Sequence, residues 1–436
     1  MNSVSFKTLG CRLNQAETAQ MRATFETAGY SIVPYGDPSD ICVIHGCAVT
    51  ARAEKECLRF ARAIKRKNPT CFVVITGCAS EVPRTPGRTA PGADLIVRQK
   101  DKYRIPAWLA TKEVPAPAPD GGQAPALLLP RFDSQRAIVK VQDGCEFRCA
   151  YCIVPLTRGP SISRPLADIV RETRQLVESG YPEIVLTGAN IGCYRDQGRT
   201  LMDILEQLEA LPLEYRLRLS SLEMSTVEQG VIDFMAHSRT LCRFLHLPLQ
   251  SGSDTILKSM GRRYTTGRYR ALIDYACQRV PHLGLGSDVL VGFPGETDAD
   301  FAATLDLLEQ LPLNNLHIFG YSPRPGTLAA ARPDPVHPLR IKERVQQALA
   351  LADQKRQAFG QSWIGQPVQV LVETVSGPKP DQIATGWTGE YVAARISGQA
   401  LQPKSVVTVI PDSFIDQTLY AKTPSISAHF NRENPR

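Results

Sequence analysis

Three cysteines near the middle of the chain have a spacing that suits an iron–sulfur cluster. Cys145, Cys149 and Cys152 lie in the segment VQDGCEFRCAYCIVP, and Tyr151 directly precedes the last of them. Ordinary ferredoxin cubanes are held by four thiolates, so a loop that offers three leaves one iron open to an exchangeable ligand. A structural zinc site is the alternative, but zinc loops usually pair two CxxC turns. The spacing therefore indicates an iron centre that performs chemistry.

A second set of cysteines follows predicted strands in the N-terminal region. Cys11, Cys47 and Cys78 each stand directly after a glycine, in LGCRLN, HGCAVT and TGCASE. Parallel strands end at one edge of a sheet, so these thiols can converge there, and glycine lets the backbone approach a metal centre closely. Spacing alone leaves a metal site and buried structural thiols both open. The other cysteines lack such a pattern and are expected to be structural: Cys42, Cys57, Cys71, Cys193, Cys242 and Cys277.

Composition favours a folded, soluble protein of the cytoplasm. Of the 436 residues 43% are hydrophobic, yet no apolar run is long enough to cross a membrane. The first residues lack the basic-then-apolar order of a signal peptide. We therefore expect no membrane association. In a reducing compartment the 12 cysteines are metal ligands or buried thiols rather than disulfides.

The net charge of +7 is concentrated in residues 1–110, which hold 16 Lys and Arg against 9 Asp and Glu. Five cations there recur at intervals of three and four residues, which places them on one face of a helix. They are Arg52, Lys55, Arg59, Arg62 and Arg66. This stripe is either a phosphate-contacting surface or an ordinary solvated face. Residues 365–420 are slightly acidic, so RNA contact there would depend on few cations or on stacking by Trp387 and Tyr391.

The order of strand and helix patterns predicts an α/β protein with several parts. Residues 1–110 are typical of an α/β domain with a parallel sheet, and residues 111–130, rich in Pro, Ala and Gly, of a linker. Residues 131–360 hold about six strand–helix units, which predict a partial (α/β)6 barrel with its chemistry at the C-terminal strand ends. Residues 361–420 predict a small antiparallel β-barrel, and residues 421–436 a disordered tail.

The cysteine loop resembles that of the radical S-adenosylmethionine (SAM) superfamily, in which SAM occupies the open iron and an aromatic residue lies beside its adenine. Nearly the whole chain is similar to one family within it, the methylthiotransferases. The similar motifs are KTLGCRLNQAET, CAVTARAEKECLRFAR, VVITGC, VQDGCEFRCAYCIVPLTRG, LTGANIGCY, RLSSLE, HLPLQSGSDTILKSMGRRY, DVLVGFPGET and FGYSPRPGT. The resemblance implies a second cubane cluster at Cys11, Cys47 and Cys78 and a C-terminal RNA-binding TRAM domain. His45, Gly46, Ala79, Ser80 and Arg98 depart from the usual pattern, but no cysteine is lost.

The context of the first cysteine, TLGCRLNQAET, resembles the branch that modifies N6-threonylcarbamoyladenosine at position 37 of tRNA. The isopentenyladenosine branch usually has Gln-Met-Asn after this cysteine, and the ribosomal-protein branch Pro-Lys-Asn; neither occurs here. The resemblance implies methylthiolation of adenine C2 with two [4Fe-4S] clusters and SAM. The first cluster would cleave SAM to a radical that takes the hydrogen, and the second would deliver sulfur carrying a methyl group from another SAM. Implied partners are tRNA and a flavodoxin- or ferredoxin-like electron donor.

Alternatives to this function remain open at the level of sequence. Within enzymes they are methylthiolation of another position-37 adenosine derivative, such as isopentenyladenosine, or of a ribosomal protein side chain. Outside enzymes the alternative is a non-catalytic zinc and RNA-binding protein.

Several residues at predicted strand ends are candidates for contact with the cofactor. Besides Tyr151 they are Thr187, Gly188, Asn190, Ser220, Glu223, His246, Gln250 and Gly292. The resemblance places residues 187–190 near the amino group of SAM, while Glu223 and its neighbours could hold ribose or carboxylate. The same residues also have structural explanations. Residues 187–190 fit an ordinary strand-to-helix turn, His246 fits a buried histidine with hydrogen-bond partners in the protein, and Gly292 fits a turn that binds no ligand. Arg158 and Arg164 are candidates for neutralising cofactor or phosphate charge.

Overall fold

The computed structural model describes residues 3–82, 90–111, 128–378, 381–399 and 401–423. Most of the expected linker and most of the expected tail lie outside these ranges. Within them, no helix combines the length and the apolar character needed to span a bilayer.

The N-terminal part is a five-stranded parallel sheet with order β2-β1-β3-β4-β5. Its elements are β1 (Ser3–Thr8), α1 (Arg12–Thr27), β2 (Ser31–Ile32), β3 (Ile41–Gly46), α2 (Ala51–Lys67), β4 (Phe72–Gly77), β5 (Leu95–Ile96) and α3 (Ile105–Thr111). Strands β3 and β4 are almost wholly buried, as their continuous apolar sequences require of central strands in a parallel sheet. The predicted parallel sheet is confirmed.

The central part is a row of six parallel strands, each followed by a helical segment. The elements are β6 (Arg136–Lys140), β7 (Gln142–Asp143), α4 (Val154–Arg158), β8 (Ile162–Ser163), α5 (Leu166–Glu178), β9 (Glu183–Thr187), α6 (Leu201–Glu209), β10 (Arg216–Leu219), α7 (Gln229–His237), β11 (Phe244–His246), α8 (Asp254–Ser259), α9 (Thr266–Arg279), β12 (Gly284–Val291), α10 (Asp298–Gln310), β13 (Asn315–Gly320) and α11 (Pro338–Gln361). The short strands β7 and β8 form a separate antiparallel pair beside the row.

Two three-stranded sheets, β6-β9-β10 and β11-β12-β13, form this row. A parallel bridge between Leu217 and Leu241 joins them. One face of the strands packs its apolar side chains against the surrounding helices. Because side chains alternate along a strand, Arg218, His246 and Asp288 lie on the opposite, inner face. The predicted partial (α/β)6 barrel is confirmed.

The C-terminal part is a curled six-stranded sheet with its own apolar core. Its strands are β14 (Val368–Ser376), β15 (Gln382–Thr388), β16 (Ala393–Gly398), β17 (Val406–Val409), β18 (Pro411–Ile415) and β19 (Thr418–Lys422). The order is β17-β14-β15-β16-β19-β18, and all pairs are antiparallel except β16–β19. The predicted small antiparallel barrel is confirmed, and it includes one parallel pair. This pair arises because β17 pairs with β14 at one edge, and the β18–β19 hairpin then returns to β16 at the other.

The connection between β15 and β16 reaches the inner face of the barrel. Tyr391, with a φ of 70°, stacks on Phe244 at a ring distance of 5.0 Å, and its hydroxyl accepts a hydrogen bond from Arg12 at 2.6 Å. Arg218 donates to the carbonyl oxygens of Thr388 and Gly389, which lie in the same connection. The Tyr391 ring therefore has partners within the protein, and the ring of Trp387 lies 5.0 Å from it. Both residues are half-buried, and stacking by them on RNA, one of the two routes considered from the sequence, stays a prediction.

A buried ionic network joins the N-terminal part to the barrel. The fully buried Glu17 of α1 accepts hydrogen bonds from Lys140 of β6 at 3.1 Å and from Arg158 of α4 at 3.1 Å. Lys102 lies 3.2 Å from the same carboxylate. Burial by itself raises the pKa of this carboxyl, but Arg158, Lys102 and Lys140 outweigh it and hold the pKa of Glu17 well below its usual range. Asp143 is the second anion, 2.8 Å from Arg158 and 3.1 Å from Lys140.

This network bears on one expectation from the sequence. The charge of Arg158 is compensated by Glu17 and Asp143, and Arg164 forms an ion pair with Glu172 at 2.6 Å. Both arginines therefore have carboxylate partners inside the protein. Arg158 also opposes the rise that burial causes in the pKa of Cys78, so neutralisation of cofactor charge by Arg158 stays a prediction.

Replacing Glu17 by Gln keeps the side-chain size but leaves three buried cations with Asp143 alone. Breaking a buried ion pair in this way costs about 3–5 kcal/mol, so the packing of α1 on β6 should loosen. Hydrogen–deuterium exchange of the amides in α1 and β6 should become faster. Glu26→Gln, at the exposed end of α1, is the matched control. Unchanged protection in Glu17→Gln would show that the network does not hold the interface.

Candidate functional site

The cluster loop, residues 144–153, follows β7 at the C-terminal end of the barrel strands. Backbone hydrogen bonds shape it: the amide of Cys145 donates to the Gly159 carbonyl at 3.1 Å, and that of Cys152 to the Cys149 carbonyl at 3.0 Å. Gly144 has a φ of 68°, and a Cβ added there would lie 1.9 Å from the Pro160 carbonyl oxygen, so only glycine fits. The loop is thus held at its start and across its middle.

The thiols of the cluster loop lie near one another but not around a single point. Burial, and then the thiols of Cys149 and Cys145, raise the pKa of Cys152 to about 12. Within the part of the chain that the structure describes, only one group of three potential ligands converges within 4.8 Å: His246, Asp288 and His317. A single zinc ion requires such convergence, whereas the thiolates of a cubane bind different irons and stand further apart. The three cysteines therefore fit a cluster better than zinc.

Cys11, Cys47 and Cys78 meet at the C-terminal edge of the N-terminal sheet, following β1, β3 and β4. Gly10 has a φ of 102°, and a Cβ added there would lie 2.6 Å from the Cβ of Cys47. Burial raises the pKa of Cys47 to about 11, and the nearby thiols of Cys78 and Cys11 add to the shift. The structure brings these thiols together, and the raised pKa values of Cys47 and Cys78 mean that their thiolate forms need a positive partner such as a metal centre.

Both cysteine-bearing segments contribute to the wall of one small cavity. Cys78 packs with Ile153, the residue directly after Cys152. The cavity, of about 210 Å³, is lined by residues that follow Cys47, by the end of the cluster loop and by the inner face of β12 and β13. Its lining residues include Val49, Thr50, Tyr151, Cys152, Ile153, Gln250, Asp288, Leu290, Phe319 and Tyr321. Of the two cysteine sets, only Cys152 is in this lining, and Val49 and Thr50 closely follow Cys47, so a molecule in the cavity would lie next to the cluster loop and near the N-terminal set.

Arg262 is a residue of the site that sequence reasoning missed, although it lies in the quoted motif HLPLQSGSDTILKSMGRRY. Its guanidinium donates to the sulfur of Cys149 at 3.3 Å and to the Tyr264 hydroxyl at 3.2 Å. It also forms a buried ion pair with Glu223. Glu223, predicted as a cofactor ligand, is therefore held beside the cluster loop by Arg262, and it also accepts a hydrogen bond from Ser225 at 3.0 Å.

The predicted segment 187–190 lies against the start of the cluster loop. The amide of Asn190 donates to the Gln142 side chain at 2.9 Å, and a Cβ on Gly188 would lie 2.9 Å from the same residue. The Asn190 side-chain amide donates to the sulfur of Cys193 at 3.2 Å, and burial raises the pKa of the neighbouring Cys145 thiol. Thr187 is buried, and its carbonyl accepts from Val141. Contact of this segment with SAM stays a prediction.

Three other predicted residues have different surroundings. The hydroxyl of Ser220 is buried and has no hydrogen-bond partner among the described residues, so it is available to a ligand. Gln250 has a φ of 69° and lines the cavity. Its backbone N–H donates a hydrogen bond to the backbone carbonyl of Asp288 at 2.8 Å. At Gly292 an added Cβ would lie 2.4 Å from Ile341 of α11, so packing explains this glycine. Cofactor contact by the three residues stays a prediction.

His246 belongs to a chain of polar contacts on the inner face of the barrel. Its Nδ1 is 2.7 Å from the Ser221 hydroxyl and its Nε2 is 3.3 Å from Asp288. Nδ1 of His317 lies 3.1 Å from the same carboxylate. Burial alone would raise the pKa of Asp288, but the two imidazoles hold it below its usual range. Asp288 is thus an ionised hydrogen-bond acceptor at the cavity wall. Neither Asp288 nor His317 was among the residues singled out from the sequence.

His45 departs from the usual methylthiotransferase pattern, and the structure shows what it does. It is completely buried, with Nδ1 2.9 Å from the Thr18 hydroxyl and Nε2 3.5 Å from Glu17. Burial lowers the pKa of His45 to about 3, which keeps the ring neutral. The substitution therefore adds a neutral partner to the Glu17 network and leaves the cysteines in place.

Comparison with known proteins identifies the family. The radical SAM superfamily matches residues 139–308, and Uncharacterized protein family UPF0004 matches residues 3–97. Threonylcarbamoyladenosine tRNA methylthiotransferase MtaB of Thermotoga maritima is 34% identical, over 86% of this chain and 87% of its own. MtaB of Bacillus subtilis is 31% identical, over 91% of each chain. The chain belongs to the radical SAM methylthiotransferase family.

Other relatives of this methylthiotransferase carry a different name. The tRNA-2-methylthio-N(6)-dimethylallyladenosine synthase of Methylobacillus flagellatus is 32% identical over 87% of this chain and 90% of that protein. Among solved structures, the radical SAM methyltransferase TsrM of Kitasatospora setae has a TM-score of 0.58 at 15% identity, over 76% of this chain and 75% of that one. This likeness shows the fold alone.

As a radical SAM methylthiotransferase, the protein uses SAM and two [4Fe-4S] clusters. The family predicted from the sequence is thereby confirmed. Which residues hold each group stays a prediction, and the two thiol triplets are those whose placement fits.

Replacing Cys47 by Ala should remove one cluster and leave the other. Anaerobically reconstituted protein should hold about eight iron atoms per chain, and the variant about four. The variant should still form 5′-deoxyadenosine from SAM, because Cys145, Cys149 and Cys152 are untouched. Cys57→Ala is the matched control, since Cys57 is also buried, lies next to Gly46 and belongs to neither triplet. Full iron content in Cys47→Ala would overturn the second cluster site.

Proposed function

We propose that this radical SAM methylthiotransferase acts on tRNA and replaces the C2 hydrogen of N6-threonylcarbamoyladenosine at position 37 with a methylthio group. One observation carries the proposal: the cavity of about 210 Å³ is lined by Cys152 of one thiol triplet and by Val49 and Thr50, which closely follow Cys47 of the other, and Cys78 packs on Ile153 of the same wall. A base placed there would lie near both triplets. The names of the Thermotoga maritima and Bacillus subtilis relatives supply the nucleoside.

The chemistry supplied by bound clusters and SAM is radical removal of the C2 hydrogen and delivery of methylated sulfur. The residues of this chain position the reactants and exclude water. Leu290, Phe319 and Ile153 give the cavity an apolar wall, and Asp288 provides an ionised hydrogen-bond acceptor. Arg262 holds Cys149 and Glu223 in one arrangement beside Tyr151.

A second candidate substrate is the dimethylallyl (isopentenyl) derivative of the same nucleoside. The apolar wall of the cavity suits a hydrocarbon substituent, and the Methylobacillus flagellatus relative is named for it. The sequence after Cys11, Arg-Leu-Asn, favours the threonylcarbamoyl nucleoside, so we place it first.

The basic face of α2 is the proposed contact for the tRNA backbone. Arg52, Lys55, Arg59, Arg62 and Arg66 are all exposed along this helix. Cys57 and Ala61 are buried on the opposite side, so the cations share one face. Helix α2 begins directly after Val49 and Thr50 of the cavity wall. The basic face therefore extends outward from the cavity mouth, as a path for RNA would require.

Two further parts of the proposal concern the setting of the enzyme. We place it in the cytoplasm, where tRNA is modified, and we assign the reducing electron to a small flavodoxin- or ferredoxin-like protein.

Nucleosides from tRNA of cells with and without this gene test the proposed substrate. Loss of the 2-methylthio form of threonylcarbamoyladenosine, with its unthiolated precursor accumulating, is the expected result in mass spectrometry. Loss of the dimethylallyl product instead would establish the second candidate. Unchanged tRNA would contradict the proposal and direct attention to a ribosomal protein side chain.

Replacing Arg59 and Arg62 by Gln should weaken tRNA binding uniformly across tRNAs. The slope of log affinity against log salt concentration should fall by about one for each phosphate that the protein no longer neutralises. Filter binding at several salt concentrations measures this slope. Arg171→Gln with Arg174→Gln, two exposed arginines on α5, is the control. An unchanged slope in the α2 variant would show that this face is only solvated.

A further inference from the structure

Four exposed arginines surround the outer side of the cluster loop. Arg148 lies between Cys145 and Cys149, and the guanidinium of Arg263 stacks on the Phe147 ring at 4.6 Å. Arg195 and Arg268 line, with Phe147, a groove of about 610 Å³. None of the four forms an ion pair with a described carboxylate, in contrast to Arg171, which pairs with Asp168 at 2.5 Å. We call these arginines and Phe147 the donor surface.

Two carboxylates, those of Glu146 and Glu228, also line the groove. Within the groove, Arg195 and Arg268 balance these two carboxylates, and Arg148 and Arg263 beside it make the donor surface as a whole basic but mixed in charge. The Arg195 guanidinium donates to the Tyr194 carbonyl at 2.6 Å, which fixes its position at the groove edge.

The donor surface and the cavity are on different sides of the cluster loop. The cavity is lined by Tyr151, Cys152 and Ile153, whereas the groove is lined by Glu146 and Phe147, and the two linings share no residue. Cys145 and Cys149, which flank Phe147, are partly exposed. A partner on the groove side would thus approach the cluster loop without entering the cavity.

We propose that an acidic one-electron donor protein of the flavodoxin class docks on the donor surface. In each transfer the donor is oxidised by one electron, and the cluster bound at Cys145, Cys149 and Cys152 is reduced by one. The docking rests on the radical chemistry of the proposed function but not on which nucleoside is modified. Opposite charges on the two proteins speed such encounters, and weak electron-transfer complexes need only small interfaces.

The mixed charges favour a protein over RNA at this surface. A polyphosphate backbone presents negative charge everywhere and would be repelled by Glu146 and Glu228. An acidic protein can place its own cations opposite these carboxylates, which gives specific pairing as well as attraction. The basic face of α2, next to the cavity, offers RNA five exposed cations, of which Arg59 pairs with Glu56 at 3.1 Å.

Charge reversal tests the docking with Arg263→Glu plus Arg268→Glu, which leave the cysteines and Arg262 unaltered. Arg171→Glu plus Arg174→Glu on α5 is the control with the same change in net charge. The first measurement is the affinity of a flavodoxin for the reconstituted enzyme by calorimetry at low salt. We expect about tenfold weaker binding for the donor-surface variant and no change for the control.

The second measurement is the rate of 5′-deoxyadenosine formation with reduced flavodoxin and, separately, with dithionite. The donor-surface variant should be slower with flavodoxin only, at unchanged iron content. Unchanged flavodoxin affinity, or equal loss with both reductants, would overturn the proposal, as would weaker tRNA binding with flavodoxin binding intact. If the unaltered enzyme forms no 5′-deoxyadenosine with either reductant, the proposed function fails, while calorimetry still decides the docking.

Discussion

The site depends on the ion pairs that the buried carboxylate of Glu17 forms with three cations. Glu17 lies on the helix that follows Cys11, and its cationic partners come from Lys102, from β6 and from α4 directly after the cluster loop. Moving the N-terminal part relative to the barrel would leave at least one of these buried charges without a partner, and such a charge is costly. The network therefore keeps the two thiol triplets in one placement relative to each other.

The same low-polarity surroundings set the chemistry of the thiols. Burial raises the pKa of Cys47, Cys78 and Cys152, so without metal these residues favour the neutral thiol. An iron cluster supplies the positive charge that makes the thiolate stable in such a place. Arg158 acts in the same direction on Cys78, since it opposes the effect of burial on the pKa. Arg158, which stabilises the interface through Glu17, thus also lowers the pKa of Cys78 in the N-terminal triplet.

Three surfaces near the cluster loop differ in their chemical character. The inner side of the loop faces a small apolar cavity with one ionised acceptor, its outer side carries the arginines of the donor surface, and α2 leads away from the cavity with a row of cations. The C-terminal part closes the inner face of the barrel with the Tyr391 connection, which Arg12 and Arg218 hold. That part of the protein therefore contributes to the architecture of the barrel.

The sequence by itself determined the chemistry and most of the architecture. Cysteine spacing, strand-end glycines and the apolar periodicities are local patterns, so the parallel sheet, the six barrel strands and the exposed face of α2 followed from them. The tertiary structure alone decided which charges meet. Glu17 and Lys140 are more than 100 residues apart in the sequence, as are Arg262 and Cys149, and no local pattern pairs them. Likewise Arg158 and Tyr391 looked available for ligands, because their partners come from distant segments that only the fold brings into contact.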